Sequence, residues 1–179
     1  MQDISLHILD IAENSIKAGA NFIEIAINED TEKNSLTIEI RDNGKGMSSE
    51  MAAKVKDPFT TSRTERKVGL GLSLLEQAAI AAGGKVTVES EEGKGTTVKA
   101  EFMYDHIDRK PMGKITDTLI SLLSNENNID IKYTHKKNTG EFEFVSTQLK
   151  SLLGLNSLKD SKVLIVLKEI INSKLEEIS

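Results

Sequence analysis

In the stretch SLTIEIRDNGKGM, residues 35–47, Leu36, Ile38 and Ile40 alternate with Thr37, Glu39 and Arg41, and Asp42 then falls on the apolar parity. A carboxylate aimed at a core face is costly unless it accepts hydrogen bonds. The expected donor is one the rest of the chain does not obviously supply, such as a ligand's amino group; the alternative is an Asp-Asn-Gly turn in which Asp42 caps its own backbone. Gly44 and Gly46 would let the backbone turn sharply and approach a flat ring. Upstream, His7, Asp10 and Asn14 are spaced three and four apart, one polar stripe beside Ile4, Ile8 and Ile11 on a single helix. Asn14 can offer an amide oxygen to magnesium, which takes few protein ligands and fills its shell with water and phosphate oxygens. Asp10, one turn earlier, can orient or deprotonate a water, while His7 reads as part of a solvated face. In KVGLGL, Gly69 and Gly71 stand where a loop enters a helix, whose unsatisfied N–H groups suit a phosphate, and Arg63, Arg66 and Lys67 bring positive charge to the same place. In EGKGTTV, Thr96 shares the inward parity of Val98, Ala100 and Phe102, so its hydroxyl is expected near the Asp42 end of a pocket.

These groups need elements to hold them. Residues from Asp3 to Ala18 repeat at helical spacing, with Gly19 suited to the C-cap. Phe22 to Asn28 and Leu36 to Asp42 read as an antiparallel hairpin joined by a polar run. Ser48 to Lys54 is a short helix, and Lys56 to Val68 a long loop of the kind that carries function. A Leu- and Ala-rich helix follows, closing at Gly83 and Gly84, and then a second hairpin, KVTVES and TTVKAEF. Helix, two strands, loop, helix, two strands favours an α/β two-layer sandwich for residues 1–104. The stretch DHIDRKPMG reads as a linker to a small α+β C-terminal region, 105–179. That region is expected to hold a helix through Ile115, Leu119 and Leu122, a hairpin turning near KKNTG, a short helix ending at Gly154, and an amphipathic helix from Leu158 to Ile178. Ser157 and Asp160 stand at capping-box spacing before it.

Composition narrows the function classes. The 179 residues include no Cys, which excludes disulfides and thiolate chemistry, and three separated His, which argues against a histidine-built metal site. A net charge of -5 argues against a nucleic-acid surface. No run is long and apolar enough to span a bilayer and the start lacks a signal-peptide pattern, so the expectation is a cytoplasmic protein that engages no membrane.

Taken in order, the motifs resemble the ATP-binding domain of the GHKL superfamily, which gathers DNA gyrase, heat-shock chaperone, histidine-kinase and mismatch-repair ATPases on the Bergerat fold. LDIAENSIKAGA is similar to the family's Asn-containing box, closest in wording to the mismatch-repair branch. DNGKGM resembles the first glycine box, DPFTTS the Phe-containing box, VGLGL the second glycine box and EGKGT the last, so that the likeness covers about residues 3 to 103. It implies a mixed sheet with helices on one face, and ATP and Mg2+ as cofactors. It implies further that Asn14 coordinates magnesium and that Asp42 accepts the adenine amino group. Gly44, Gly46 and Met47 would shape the floor under the ring. A lid over Thr60 to Val68 would bring Arg63 and Lys67, Gly69, Leu70, Gly71 and Leu72 would line the phosphates, and Thr96 would lie near adenine. The position of the family's catalytic Glu is Asp10 here, one methylene shorter, which implies slow hydrolysis. No stretch resembles a histidine kinase's phosphoacceptor helix around His7, His106 or His135, so self-phosphorylation is not expected.

The resemblance thus implies a histidine-kinase-like ATP-binding domain in a stand-alone form: a Mg-ATP-binding protein with weak ATPase activity and a regulatory or switch role. An anti-sigma-type serine/threonine kinase acting on a partner protein and a non-hydrolysing nucleotide-dependent switch are the alternatives. Beyond ATP or ADP, a protein partner is expected at the C-terminal region, where Val163, Leu167, Ile170 and Ile171 form an apolar stripe, and an oligomer is compatible with it. A weaker whole-chain likeness, through GEFEFVSTQLKSLLG, is to stand-alone ATP-binding proteins found beside iron-hydrogenase genes.

Overall fold

Asp3 sets the start of the first helix: its carboxylate accepts the Leu6 N–H at 3.1 Å, and α1 runs over Ile4–Lys17 with Ile4, Ile8 and Ile11 buried. The computed structural model describes residues 3–51 and 70–178. After α1 come β1 (Phe22–Asp30), β2 (Ser35–Asp42), α2 (Leu70–Ala81), β3 (Lys85–Glu91) and β4 (Gly95–Met103). Then follow α3 (Ile115–Leu123), β5 (Asp130–Lys137), β6 (Gly140–Val145), α4 (Ser146–Leu153) and α5 (Ser161–Glu177). Of the short helix expected from Ser48, residues 49–51 are helical, and the remainder, like the long loop after it, lies outside the described residues.

Six strands form one mixed sheet in the order β3-β4-β2-β1-β5-β6, antiparallel except for the parallel pair β1 and β5. Alternation decides its faces. Ile23, Ile25 and Ile27, Leu36, Ile38 and Ile40, Val98, Ala100 and Phe102, and Ile131 and Tyr133 are buried, in one cluster with α1, Leu75 and Ala79 of α2, and Leu119 and Leu122 of α3. The opposite parity carries Glu24, Lys132, Glu39, Lys99 and Glu101, paired across strands as in Lys132 to Glu24 at 3.1 Å and Lys85 to Glu101 at 3.6 Å, and along β4 as in Lys99 to Glu101 at 2.9 Å. Such exposed pairs add little stability but leave this face solvated. The result is the expected α/β sandwich, a sheet with helices packed on its apolar face.

The C-terminal strands extend this same sheet. In β5, Ile131 aligns with Ile23 and His135 with Ile27. A buried network joins the two strands: Tyr133 Oη lies 2.8 Å from His135 Nδ1, and His135 Nε2 lies 2.7 Å from Glu29 Oε1. The DHIDRKPMG stretch, expected as a linker, is bonded to the first turn of α1. Pro111 O accepts the Ile4 N–H at 2.9 Å and Met112 O the Ser5 N–H at 2.8 Å, satisfying donors that a helix start leaves open. Thr118 Oγ1 of α3 donates to Ser5 O at 3.0 Å.

The last helix begins later than its sequence pattern predicts. Leu158 is buried ahead of it, and Asp160 is its N-cap rather than the closing residue of a capping box begun at Ser157, accepting the Lys162 and Val163 N–H groups. Of its apolar stripe, Leu167 and Ile171 are core, whereas Ile170 is 51% exposed beside exposed Ile165 and Val166.

Candidate functional site

The strand β2 ends as its pattern predicts, with Asp42 facing inward and only 8% exposed. Its two oxygens nevertheless find donors within the chain. Ser15 Oγ–H donates to Oδ2 at 2.7 Å, a donor not obvious in the sequence, and the Gly44 N–H donates to Oδ1 at 2.8 Å, the turn in which Asp42 caps its own backbone. Ser15 continues the spacing of Ile4, Ile8 and Ile11 along α1 and points at the sheet, a placement the helical period carried without identifying the contact. A carboxylate accepts up to about four hydrogen bonds, so capacity for a ligand's donor remains. Asn43 fixes the turn: its Oδ1 accepts the N–H groups of Asn21 and Phe22, both at 3.0 Å. The Lys45 N–H donates to Ala18 O at 3.0 Å, seating residues 43–45 against the C-terminal end of α1.

Gly46 has a left-handed backbone, φ 65°, and a Cβ there would overlap the Glu91 carbonyl, so this glycine lets the loop lie on the β3–β4 turn. Met47, half-buried against the core, donates its N–H to Ser90 Oγ at 2.8 Å. Thr96 is aligned with Asp42 across the strands, but its hydroxyl oxygen lies 2.9 Å from Ser90 Oγ.

Asp10, in the middle of the polar stripe of α1, faces α2. Gly71, in the first turn of α2, is buried, and a Cβ added there would overlap the Asp10 carboxylate, so only a glycine admits this approach. Asp10 Oδ2 is buried and has no hydrogen-bond partner among the described residues. Leaving such an atom unpaired costs about 1–3 kcal/mol, a deficit that a water or ligand donor would remove. Asn14, one turn further on, is half-buried. His7 departs from its expected solvated place: it is 2% exposed, because the first turn of α1 lies under the 111–113 segment, and its Nδ1 is likewise unpartnered. Burial depresses the His7 pKa, and the positive N-terminus adds to this against the pull of Asp10 and Asp3. Leu70 opens α2 and Leu72 packs half-buried against the core. Arg63, Lys67 and Gly69 lie outside the described residues.

These residues suit a magnesium nucleotide. No cluster of three or more His, Asp and Glu exists among the described residues, so a metal here would depend on an amide such as Asn14, water and the ligand's own oxygens. A wide concavity of about 550 Å³ adjoins Asp42 and Thr96, but it opens on the other sheet face between Glu39, Arg41, Thr87 and Lys99. Its walls are mainly charged and polar and offer a purine little apolar surface. The helix side, where Asp42 meets Ser15 and Asp10 meets Gly71, is the better site. Sequence reasoning missed Asn43, Ser90 and the contact made by Ser15, because spacing along the chain does not reveal remote partners.

A mixed sheet backed by helices, with Asp and Asn on the first helix and glycine turns at two strand ends, defines an α/β sandwich with its candidate site on the helix side. Comparison with known proteins gives the family. The model for histidine kinase-, DNA gyrase B- and HSP90-like ATPases matches residues 2–106, and the chain belongs to that family. Sporulation kinase D of Bacillus subtilis (strain 168) is 33% identical over 91 residues, 51% of this chain and 18% of that protein. Sporulation kinase E of the same organism is 34% identical over 98 residues, 54% of this chain and 13% of that protein. The chain therefore matches less than a fifth of the length of these relatives. The N-terminal domain of a DNA repair protein aligns with 81% of this chain and 52% of its own, at 17% identity and a TM-score of 0.52, a likeness of fold. No described helix is long and apolar enough to cross a membrane.

Proposed function

We propose that this protein binds Mg-ATP between α1 and the ends of β2 and β4, hydrolyses it slowly, and passes the nucleotide state to a protein partner through its C-terminal region. The observation that carries the reading is the buried Asp10 Oδ2, without a hydrogen-bond partner among the described residues and held against Gly71 one turn before Asn14. Asp10 would accept the proton of an attacking water, and its short side chain makes that transfer slow. Asn14 would hold magnesium, which, when bound, neutralises phosphate charge. Asp42 would receive the adenine amino group on lone pairs left by Ser15 and Gly44, above a floor of Gly44, Gly46 and Met47, with Thr96 at its edge. The start of α2, Gly69 to Leu72, would take phosphate on its N–H groups, with Arg63 and Lys67 closing from the lid.

The C-terminal region is bonded to the first turn of α1, at Ile4 and Ser5, through Pro111, Met112 and Thr118, which supports α1, the helix that carries Asp10 and Asn14, as the element that would pass the nucleotide state on. The exposed Ile165, Val166 and Ile170 favour a protein partner on α5. They also favour a second reading, transfer of the phosphoryl group to a partner's Ser or Thr hydroxyl deprotonated by Asp10. The test is release of labelled γ-phosphate from Mg-ATP, with retained nucleotide counted in the same sample. Slow release that disappears in Asn14→Ala supports the ATPase. Retained, uncleaved ATP moves the reading to a switch or to transfer, and absence of nucleotide binding overturns it.

A further inference from the structure

Ser90 ends the inward side of β3, and its hydroxyl is shared by three segments. It accepts the Met47 N–H at 2.8 Å, lies 3.1 Å from Gly95 O, and lies 2.9 Å from Thr96 Oγ1. A serine hydroxyl has one proton and two lone pairs. When its proton goes to Gly95 O, the lone pairs take the Met47 N–H and the Thr96 O–H, so every hydrogen-bonding position is filled by the protein. Ser90 therefore has nothing to offer a ligand directly. What it does is join residues 44–47 to the β3–β4 turn at the place where Thr96 aligns with Asp42. The same junction is closed on its outer side by the Gly93 N–H to Lys45 O bond at 2.7 Å, and Gly46 fits against Glu91 without room for a side chain.

We propose that Ser90 is a positioning residue for the nucleotide base: it sets the height of the Gly44–Met47 floor relative to the Asp42 carboxylate. This rests on the reading of the Asp42 region as the base pocket. Asp42 accepts hydrogen bonds only, so it matches an amino group and repels a carbonyl at the same place on the ring. That discrimination holds only while floor and carboxylate are fixed a hydrogen-bond length apart. Loosening the floor should thus cost base selectivity, not phosphate binding.

The experiment is calorimetric titration of the full chain with Mg-ATP and with Mg-GTP, for the native chain, Ser90→Ala, Ser90→Cys, Ser90→Thr and Asp42→Asn. Loss of the hydroxyl in Ser90→Ala and Ser90→Cys should weaken ATP about ten-fold with GTP little changed, narrowing the ATP:GTP ratio, while Ser90→Thr restores it. Cysteine leaves no cavity, its sulfur being larger than the oxygen it replaces, and hydrogen-bonds only weakly, so it decides the matter if the alanine variant does not fold. An unchanged ratio in both variants, with ATP affinity lost in Asp42→Asn, overturns the role of Ser90 and leaves the base pocket standing. A native chain that binds ATP and GTP alike, unaffected by Asp42→Asn, overturns the pocket and this inference with it.

Discussion

Replacing Gly71 by alanine should leave the fold standing and stop the chemistry. The residue is helical without a positive φ, so alanine is conformationally acceptable there and gains up to about 1 kcal/mol of helix propensity. The added methyl overlaps the outer atoms of the Asp10 carboxylate, and it would stand 3.1 Å from Asp10 Cβ. The carboxylate can swing away about its own side-chain bonds, whereas the helix cannot easily retreat from the core. Overpacking costs about 1–3 kcal/mol, partly offset by the propensity gain, so net stability should fall by about 0–2 kcal/mol. A general base displaced from its water forfeits about 10²–10⁴ in rate. The assay pairs thermal unfolding with single-turnover release of γ-phosphate at saturating Mg-ATP. A Gly71→Ala protein that unfolds within a few degrees of the native chain and releases phosphate at the native rate would refute the placing of Asp10.

Two further predictions concern acid. His7 has a depressed folded-state pKa, so as pH falls through its ordinary value of 6.5 the unfolded chain takes up a proton before the folded one, and stability declines from there. His7→Leu removes that proton uptake and the unpartnered Nδ1, and denaturant titrations at pH 7.5 and 5.5 should differ less than in the native chain; an equal difference would show that His7 is not buried neutral. Glu29 has its pKa lowered chiefly by the hydrogen bond from His135, against the cost of burial. Its contribution is therefore present above its ordinary value of 4.5 and lost as pH falls below it. Glu29→Gln should cost about 1 kcal/mol at neutral pH and flatten the acid limb of a stability-against-pH curve, and an unaltered limb would remove Glu29 from that role.

Taken alone, the sequence determined the order of elements, the inward parity of Asp42 and Thr96, the stripe of His7, Asp10 and Asn14, and the glycines at both turns. Each is a local regularity: a period of two or of 3.6, or a residue with unusual backbone freedom. These regularities state which way a side chain faces but not what it meets. That Ser15 is the donor to Asp42, that Asp10 lies against Gly71, and that Ser90 joins Met47 to Gly95 were decided only when the chain packed. The same holds for the C-terminal region, whose hairpin and helices were legible while its attachment was not. A strand carries unpaired N–H and C=O groups on both edges, and nothing in its own residues names the neighbour that will satisfy them. Here β5 satisfies β1, and the register is held by a His, a Tyr and a Glu that only tertiary packing brings together.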